Sequence, residues 1–258
     1  MRSRRALKSA GALGLLALAA TGCSGSRLGL PEPISVQGER ILHLWQGSWI
    51  AAFAVGGVVW GLIIWAVLFH RKRSDDLPPQ VRYNMPIEIL YTAVPFVIIA
   101  VLFYFTARDE NFVEKTTDNP AVVVDVTGYQ WSWQFDYKEG DKTVATVTGV
   151  PVAPNGPAPG KPVMVVPVGE KVRVRLHAND VIHSFWVPAL IYKKDVMPGY
   201  TNEFEFTATK TGTYEGRCAE LCGVDHSKML FQLRVVKPET YQKFIADSKQ
   251  ALAAGGGK

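Results

Sequence analysis

The chain contains 258 residues, of which 48% are hydrophobic, 20% charged and 11% aromatic. This composition excludes an intrinsically disordered protein, and three cysteines are too few for a disulfide scaffold. The net charge of +5 lies entirely in residues 1–105, which hold 10 Lys and Arg against 5 Asp and Glu, whereas the remaining residues hold 18 of each. Because the excess accompanies long apolar runs, it indicates membrane topology and argues against nucleic acid as a partner.

The first 22 residues have the pattern of an export signal. A basic start precedes an apolar stretch of 11 residues, Ala10–Ala20, which is too short to cross a bilayer. The following Thr21-Gly22-Cys23 completes a segment that resembles a bacterial lipoprotein box, in which the cysteine becomes the lipidated first residue of the mature chain. We therefore expect removal of residues 1–22 and lipidation of Cys23. The alternative is an ordinary signal peptide with an incidental cysteine.

Two longer apolar runs predict a transmembrane helical hairpin over residues 44–107. Leu44–Phe69 contains 26 residues without a charge, and Ile89–Ala107 contains a further 19. A helix needs about 20 apolar residues to cross the hydrocarbon core. The loop between the runs, residues 70–88, carries four Lys and Arg and is therefore expected on the cytoplasmic side. Both ends of the hairpin, including an outer N-terminal segment 23–43, are then extracytoplasmic, in agreement with the export signal.

The pattern changes to short β-branched runs after a linker over residues 108–120. Gly and Pro separate these runs, as expected for a β-sandwich or barrel over residues 121–237. Residues 238–258 are expected to form a C-terminal helix, with Pro238 in its first turn, followed by a disordered tail. The runs are Val122–Val124, Thr143–Val147, Val163–Val166, Val172–Leu176, Glu203–Thr207 and Phe231–Val236.

Soft metal-binding side chains are concentrated near the end of this region. Cys218, Cys222, His226 and Met229 fall within 12 residues, and His183 lies upstream on a strand-like segment. Such donors suit copper rather than Mg²⁺ or Ca²⁺. A disulfide or half of a zinc site would also use two cysteines, but a second cysteine pair for zinc is absent from the sequence. A one-copper blue site needs a single thiolate, whereas two thiolates, two imidazoles and one thioether fit a site in which both sulfurs bridge two coppers.

This spacing resembles the dinuclear CuA signature of subunit II of the haem–copper cytochrome c oxidases, and the resemblance extends from the first apolar run to about residue 240. It implies a two-helix transmembrane hairpin followed by an all-β cupredoxin-like Greek-key sandwich. In that family the cysteines bridge the coppers, each histidine binds one copper, and the methionine and the carbonyl of the intervening glutamate complete the site. The implied ligands are His183, Cys218, Glu220, Cys222, His226 and Met229.

The resemblance also implies a function and several partners. Subunit II accepts electrons from cytochrome c at CuA and passes them to the haems of subunit I, where O2 is reduced to water and protons are pumped. Subunits I and III of the oxidase are the implied partners within a bacterial cell membrane, and the CuA domain is extracytoplasmic. The side chain of Glu220 is implied to help bind Mg²⁺ at the boundary with subunit I.

An aromatic segment and one carboxylate acquire specific roles from the same resemblance. Tyr129–Tyr137 alternates aromatic and polar residues, so one continuous strand would place its aromatic side chains on one face, as in an ordinary core. In the family the corresponding Trp131 is the point where electrons from cytochrome c enter. Glu88 opens the second apolar helix and is either a solvated carboxylate that favours the helix N-terminus or, as the family implies, the mouth of a proton pathway into subunit I.

The charges near the first histidine bear on the electron donor. Many mitochondrial members have two acidic residues where this chain has Asn179-Asp180, and the residues after 105 are neutral overall. Strong electrostatic steering of a soluble cytochrome c is therefore not expected, and a donor tethered in a supercomplex is favoured.

Three other classes of protein are less consistent with the sequence. The related quinol-oxidase subunit lacks the copper ligands, so the intact ligand set argues against it. The CuA domain of nitrous oxide reductase follows a propeller in a soluble enzyme, so the predicted membrane hairpin and the short chain argue against that class. A membrane-anchored copper carrier without an oxidase partner needs neither Trp131 nor Glu88.

Overall fold

The structure is a computed structural model that describes residues 25–73, 75–77, 79–153 and 160–255. The expected signal peptide and Cys23 lie outside the described residues. The chain divides into two compact units. One is His43–Phe112, and the other combines Val113–Lys258 with the segment that ends at Leu42.

Among the described residues, two helices are long and apolar enough to cross a membrane. Helix α1 is Val36–Phe69 and helix α2 is Met85–Val113. In each helix, none of the 18 residues of the apolar stretch is buried by the rest of the chain. The backbone N–H of Asn84 donates to Oε1 of Glu88 at 2.9 Å, which satisfies a backbone donor at the start of α2. Both helices contain the predicted apolar runs and extend beyond them.

In the part of the chain that the structure describes, ten strands follow α2 and form two five-stranded sheets, with strand orders β3-β2-β1-β5-β8 and β4-β10-β9-β6-β7. Strands β1 and β5 pair in parallel, as do β4 and β10, and the remaining pairs are antiparallel. The prediction of two apolar helices followed by a cupredoxin-like β-sandwich is confirmed. The strands are β1 Val122–Tyr129, β2 Ser132–Glu139, β3 Lys142–Thr148, β4 Val163–Pro167, β5 Lys171–Ala178, β6 His183–Val187, β7 Tyr192–Val196, β8 Asn202–Thr207, β9 Gly212–Cys218 and β10 Leu230–Val236.

Aromatic side chains fill the core between the sheets. Phe185 stacks on Phe231 with ring centroids 4.6 Å apart, and the edge of Trp133 meets Phe231 at 5.3 Å. Gly216 makes room for this cluster, because a Cβ at that position would lie 2.2 Å from Cε2 of Phe231. Helix α3, Pro238–Gly255, closes one side, where Phe244 packs 5.2 Å from the ring of Tyr137. The metal-ligand candidates extend from this rigid core.

The prediction of one continuous aromatic strand over Tyr129–Tyr137 was wrong. Strand β1 ends at Tyr129 and β2 begins at Ser132, and the two pair antiparallel as a hairpin whose turn is Gln130 and Trp131. The aromatic residues of β2 point into the core, whereas Trp131 lies at the tip of the hairpin and is partly buried. The tip of this hairpin adjoins the cysteine loop described below.

Candidate metal centre

The fold brings the two distant parts of the candidate site together at one end of the sandwich. His183 is the first residue of β6, and Cys218 is the last residue of the neighbouring β9. A loop carries Cys222 to a 3₁₀ turn that begins at His226, and Met229 follows directly before β10. The N–H of Cys218 donates to the carbonyl of Met229 at 3.0 Å, so the loop is closed at its base by the β9–β10 ladder.

The donor atoms of these residues form one continuous cluster. Sγ of Cys218 lies 3.8 Å from Sγ of Cys222 and 3.9 Å from Nδ1 of His183. Sγ of Cys222 lies 3.5 Å from Nδ1 of His226 and 3.8 Å from Sδ of Met229. The structure thus places five predicted ligand side chains in contact, with the cysteines central and the histidines on opposite sulfurs.

Glu220 contributes through its backbone. Its carbonyl oxygen accepts a hydrogen bond from the Cys218 thiol at 3.2 Å, whereas the residue as a whole is exposed. The carbonyl therefore faces the sulfur cluster, as the resemblance implied, and the carboxylate is available to a group outside the chain.

The cluster is shielded from water. His183 and Met229 are 0% exposed, and Cys218 and Cys222 are 4% and 3% exposed. His226 is only partly buried. Among the residues that the structure describes, ligand atoms of His183, Cys218 and Cys222 all lie within 4.8 Å of one another. Such a buried, sulfur-rich set fits a soft metal ion rather than a hard one.

The two thiols interact, so that ionisation of Cys218 is favoured and ionisation of Cys222 is opposed. A hydrogen bond with the Cys222 thiol lowers the pKa of Cys218 to about 3, and a further hydrogen bond with His183 acts in the same direction. The neighbouring thiolate raises the pKa of Cys222, and burial adds to this rise. A cation between the sulfurs would remove this conflict, because a coordinated thiol is held as thiolate.

The acidic member of the Asn179-Asp180 pair lies against one of the candidate ligands. Oδ1 of Asp180 lies 2.8 Å from Nε2 of His183, on the side of the ring opposite the sulfurs. Burial opposes the ionisation of Asp180, but hydrogen bonds from His183 and from the N–H groups of Gln130 and Val181 outweigh it, so the pKa of Asp180 is lowered. Sequence reasoning missed this contact, for which the only signal was an acid three residues before the histidine.

Trp131 touches the cysteine loop. Its indole Nε1 donates to the carbonyl of Cys222 at 3.1 Å, and the side-chain amide of Gln130 donates to the same oxygen at 2.8 Å. Gly223 has φ +123°, and a Cβ there would lie 3.0 Å from Cζ2 of Trp131. The absence of a Cβ at Gly223 therefore allows the indole to approach the loop closely.

The remaining predicted residue, Glu88, is not part of this cluster. It belongs to the helical unit, where it lies in the first turn of α2 and is partly buried. Among the predicted residues that the structure describes, the contacts above bring the copper-ligand candidates and Trp131 together at one site.

Fold and site together define a class of protein: two apolar helices joined to a cupredoxin-like sandwich whose buried His, Cys and Met donors fit copper of the CuA type. Residues 122–236 match the family model for the periplasmic domain of cytochrome c oxidase subunit II. A probable cytochrome c oxidase subunit 2 from Streptomyces avermitilis is 47% identical over 278 residues, which cover 95% of this chain and 87% of that protein. The cytochrome c oxidase subunit 2 of Mycobacterium tuberculosis is 37% identical over 297 residues, covering 95% and 82%.

The chain therefore belongs to the cytochrome c oxidase subunit II family and is a subunit of a terminal oxidase that works with subunit I. It is a membrane protein with an extracytoplasmic CuA-type domain. A solved relative is the periplasmic domain of cytochrome oxidase subunit II from Bradyrhizobium japonicum, with 33% identity and a TM-score of 0.44. That match covers 53% of this chain and 99% of the solved one.

Proposed function

We propose that this chain is the electron-accepting subunit of a proton-pumping cytochrome c oxidase. Its outer domain takes electrons from cytochrome c and passes them to the haems of subunit I, where O2 is reduced to water. The observation that carries this proposal is the contact cluster of two thiols, two imidazoles and a thioether, whose cysteine loop accepts a hydrogen bond from Trp131.

The residues that would hold two copper ions are those of the cluster. Cys218 and Cys222 would bridge the ions, His183 and His226 would each bind one ion, and weak contacts would come from Met229 and the Glu220 carbonyl. When bound, this group supplies one-electron oxidation and reduction with an electron shared between two metals.

The protein restricts the movement of the ligand side chains. His183, Cys218 and Met229 lie on or beside strands whose ladder closes the site, and their side chains are almost fully buried. A rigid and apolar surrounding limits the structural change that accompanies a change in charge, which favours fast electron transfer. Trp131 is partly exposed and hydrogen-bonded to Cys222, so it offers a contact between a docked donor and the ligand loop.

The copper content of the full chain tests the assignment. The detergent-solubilised chain should bind two copper ions, and its electron paramagnetic resonance spectrum should show one unpaired electron shared by two copper nuclei. Elemental analysis measures the stoichiometry. A single copper, or a preference for zinc, would contradict the proposed centre.

The carboxylate of Glu220 belongs to an exposed residue, and we propose that it helps bind Mg²⁺ together with subunit I, since carboxylate oxygens suit this hard cation. Subunit III and a cytochrome c, soluble or tethered in a supercomplex, are the further proposed partners. We also propose that residues 1–22 are removed and that Cys23 is lipidated. The loop 70–88 would then be cytoplasmic in a bacterial cell membrane, and the N-terminus extracytoplasmic.

Glu88 is proposed to stand at the mouth of a proton pathway into subunit I. Replacing Glu88 with glutamine should slow turnover while leaving reduction of the copper centre by its donor unchanged. Glutamine keeps the Oε1 atom that accepts from the N–H of Asn84, so the start of α2 should persist and only the titratable proton is lost. Oxygen consumption and stopped-flow reduction measure the two steps separately.

Two outcomes would contradict this role for Glu88. Unaltered turnover would identify Glu88 as a solvated carboxylate at a helix N-terminus. An equal loss in both steps would indicate damaged assembly instead.

A further inference from the structure

The carboxylate of Asp180 contacts both His183 and the backbone of Gln130 at the hairpin tip. Asp180 lies in the loop between β5 and β6, and all of its hydrogen bonds are directed into the protein. Oδ1 lies 2.8 Å from Nε2 of His183 and 2.7 Å from the N–H of Val181. Oδ2 accepts from the N–H of Gln130 at 2.7 Å. Three donors therefore converge on one carboxylate.

The contact with His183 determines which ring nitrogen faces the sulfurs. When Nε2 carries the proton and donates it to Asp180, Nδ1 is left with a free lone pair, and Nδ1 is the atom that lies 3.9 Å from Sγ of Cys218. Carboxylates that accept from the second nitrogen of a histidine ligand orient the ring and increase its basicity. The His183 side chain is 0% exposed, so Asp180 is placed to stop its ring from turning.

The contact with Gln130 extends the same anchor to the hairpin tip. Gln130 is held by Asp180 through its backbone N–H and by the Cys222 carbonyl through its side-chain amide. Trp131 follows directly and donates to the same carbonyl. One carboxylate thus connects the ligand at the start of β6 with the hairpin that rests on the cysteine loop.

We propose that Asp180 is a positioning residue that fixes the His183 ring and the Gln130–Trp131 turn, rather than a surface charge that steers the electron donor. This inference rests on the proposed copper centre, because it assigns His183 as a ligand. Its carboxylate is 30% exposed, and both of its oxygens make contacts with these three donors inside the protein.

The test compares Asp180→Asn with a charge-matched variant in the assembled oxidase. The adjacent Asn179 is exposed, so Asn179→Asp together with Asp180→Asn restores the charge of the pair but not the carboxylate beside His183. Both variants should bind copper about 10- to 100-fold more weakly, with a changed copper hyperfine splitting and a more positive reduction potential. The dependence of the donor reaction on ionic strength should stay as in the wild type.

The opposite result would overturn the proposal. In that case the copper affinity, spectrum and potential would be native in both variants, and a slower donor reaction in Asp180→Asn would recover in the double variant.

If Asp180→Asn does not assemble, Asp180→Glu answers the question, since it keeps the charge and displaces the carboxylate by one methylene. A native copper spectrum in Asp180→Glu would overturn the proposal, and an altered one would support it. Loss of the copper signal from the wild type would refute the proposed centre itself.

Discussion

Replacing Cys222 with serine is expected to abolish the two-copper centre and, with it, electron transfer from any donor. The Cys222 sulfur is central to the cluster, with Cys218, His226 and Met229 all within 3.8 Å of it. A serine hydroxyl is a hard ligand that stays protonated, so it cannot replace a bridging thiolate. Elemental analysis of copper and the paramagnetic resonance spectrum of the oxidase provide the measurement.

Two matched variants distinguish loss of a bridging sulfur from general damage. Met229→Leu should keep both coppers and shift the reduction potential, because a weak axial ligand tunes the site and leucine has a similar volume. Cys23→Ser removes the third cysteine of the chain and should leave the copper spectrum unchanged. Two coppers with an unaltered spectrum in Cys222→Ser would refute a bridging role for Cys222.

The sequence indicated which side chains lie together at the candidate centre more completely than it indicated the strands around them. Four of the candidate ligands lie within 12 residues at the end of β9 and in the following loop, so their spacing can be read directly from the sequence. Two strands without a β-branched run, β7 and β9, were missed. Each carries charged or small residues on its exposed positions.

The aromatic hairpin shows why periodicity alone misled. The aromatic pattern of period two runs through Gln130 and Trp131 without a break, so nothing in it marks the turn. The two-residue turn nevertheless changes which residues face the core, because the buried positions are even-numbered in β1, whereas the buried aromatic residues of β2 are odd-numbered. The turn also lacks the Asn-Gly or Gly-containing signature that usually marks such hairpins. In the same way, the contact between Asp180 and Gln130 depends on the packing of β1 beside β5, which no local pattern reports.

Replacing Trp131 with glutamine is expected to reduce electron transfer from cytochrome c by orders of magnitude while leaving copper content nearly intact. The indole lies at a hairpin tip, is partly buried and contacts the ligand loop through one hydrogen bond to the Cys222 carbonyl. Its loss removes the aromatic contact between donor and centre but not a ligand. Stopped-flow reduction by cytochrome c, together with copper analysis, measures both quantities.

Trp133 provides the control, because it lies only two residues from Trp131 in the sequence but is in the core rather than at the hairpin tip. It is 0% exposed and packs against Phe231 and Phe185 in the core. Trp133→Gln should therefore destabilise the outer domain by about 3–5 kcal/mol and reduce copper binding through loss of the fold. A similar loss of copper in both variants would show that Trp131 is only a structural residue.

Ionic strength gives Trp131 a second readout. The residues after 105 are neutral overall, and the Asp180 carboxylate is engaged by His183, Gln130 and Val181. Because acidic and basic side chains balance in number, no net acidic field attracts a basic donor toward the indole, so the wild-type rate with soluble cytochrome c should fall only gently as salt rises. Trp131→Gln should lower the rate without changing that slope, because it removes no charge. A steep slope in the wild type would show that a local acidic patch guides docking and would count against a tethered donor.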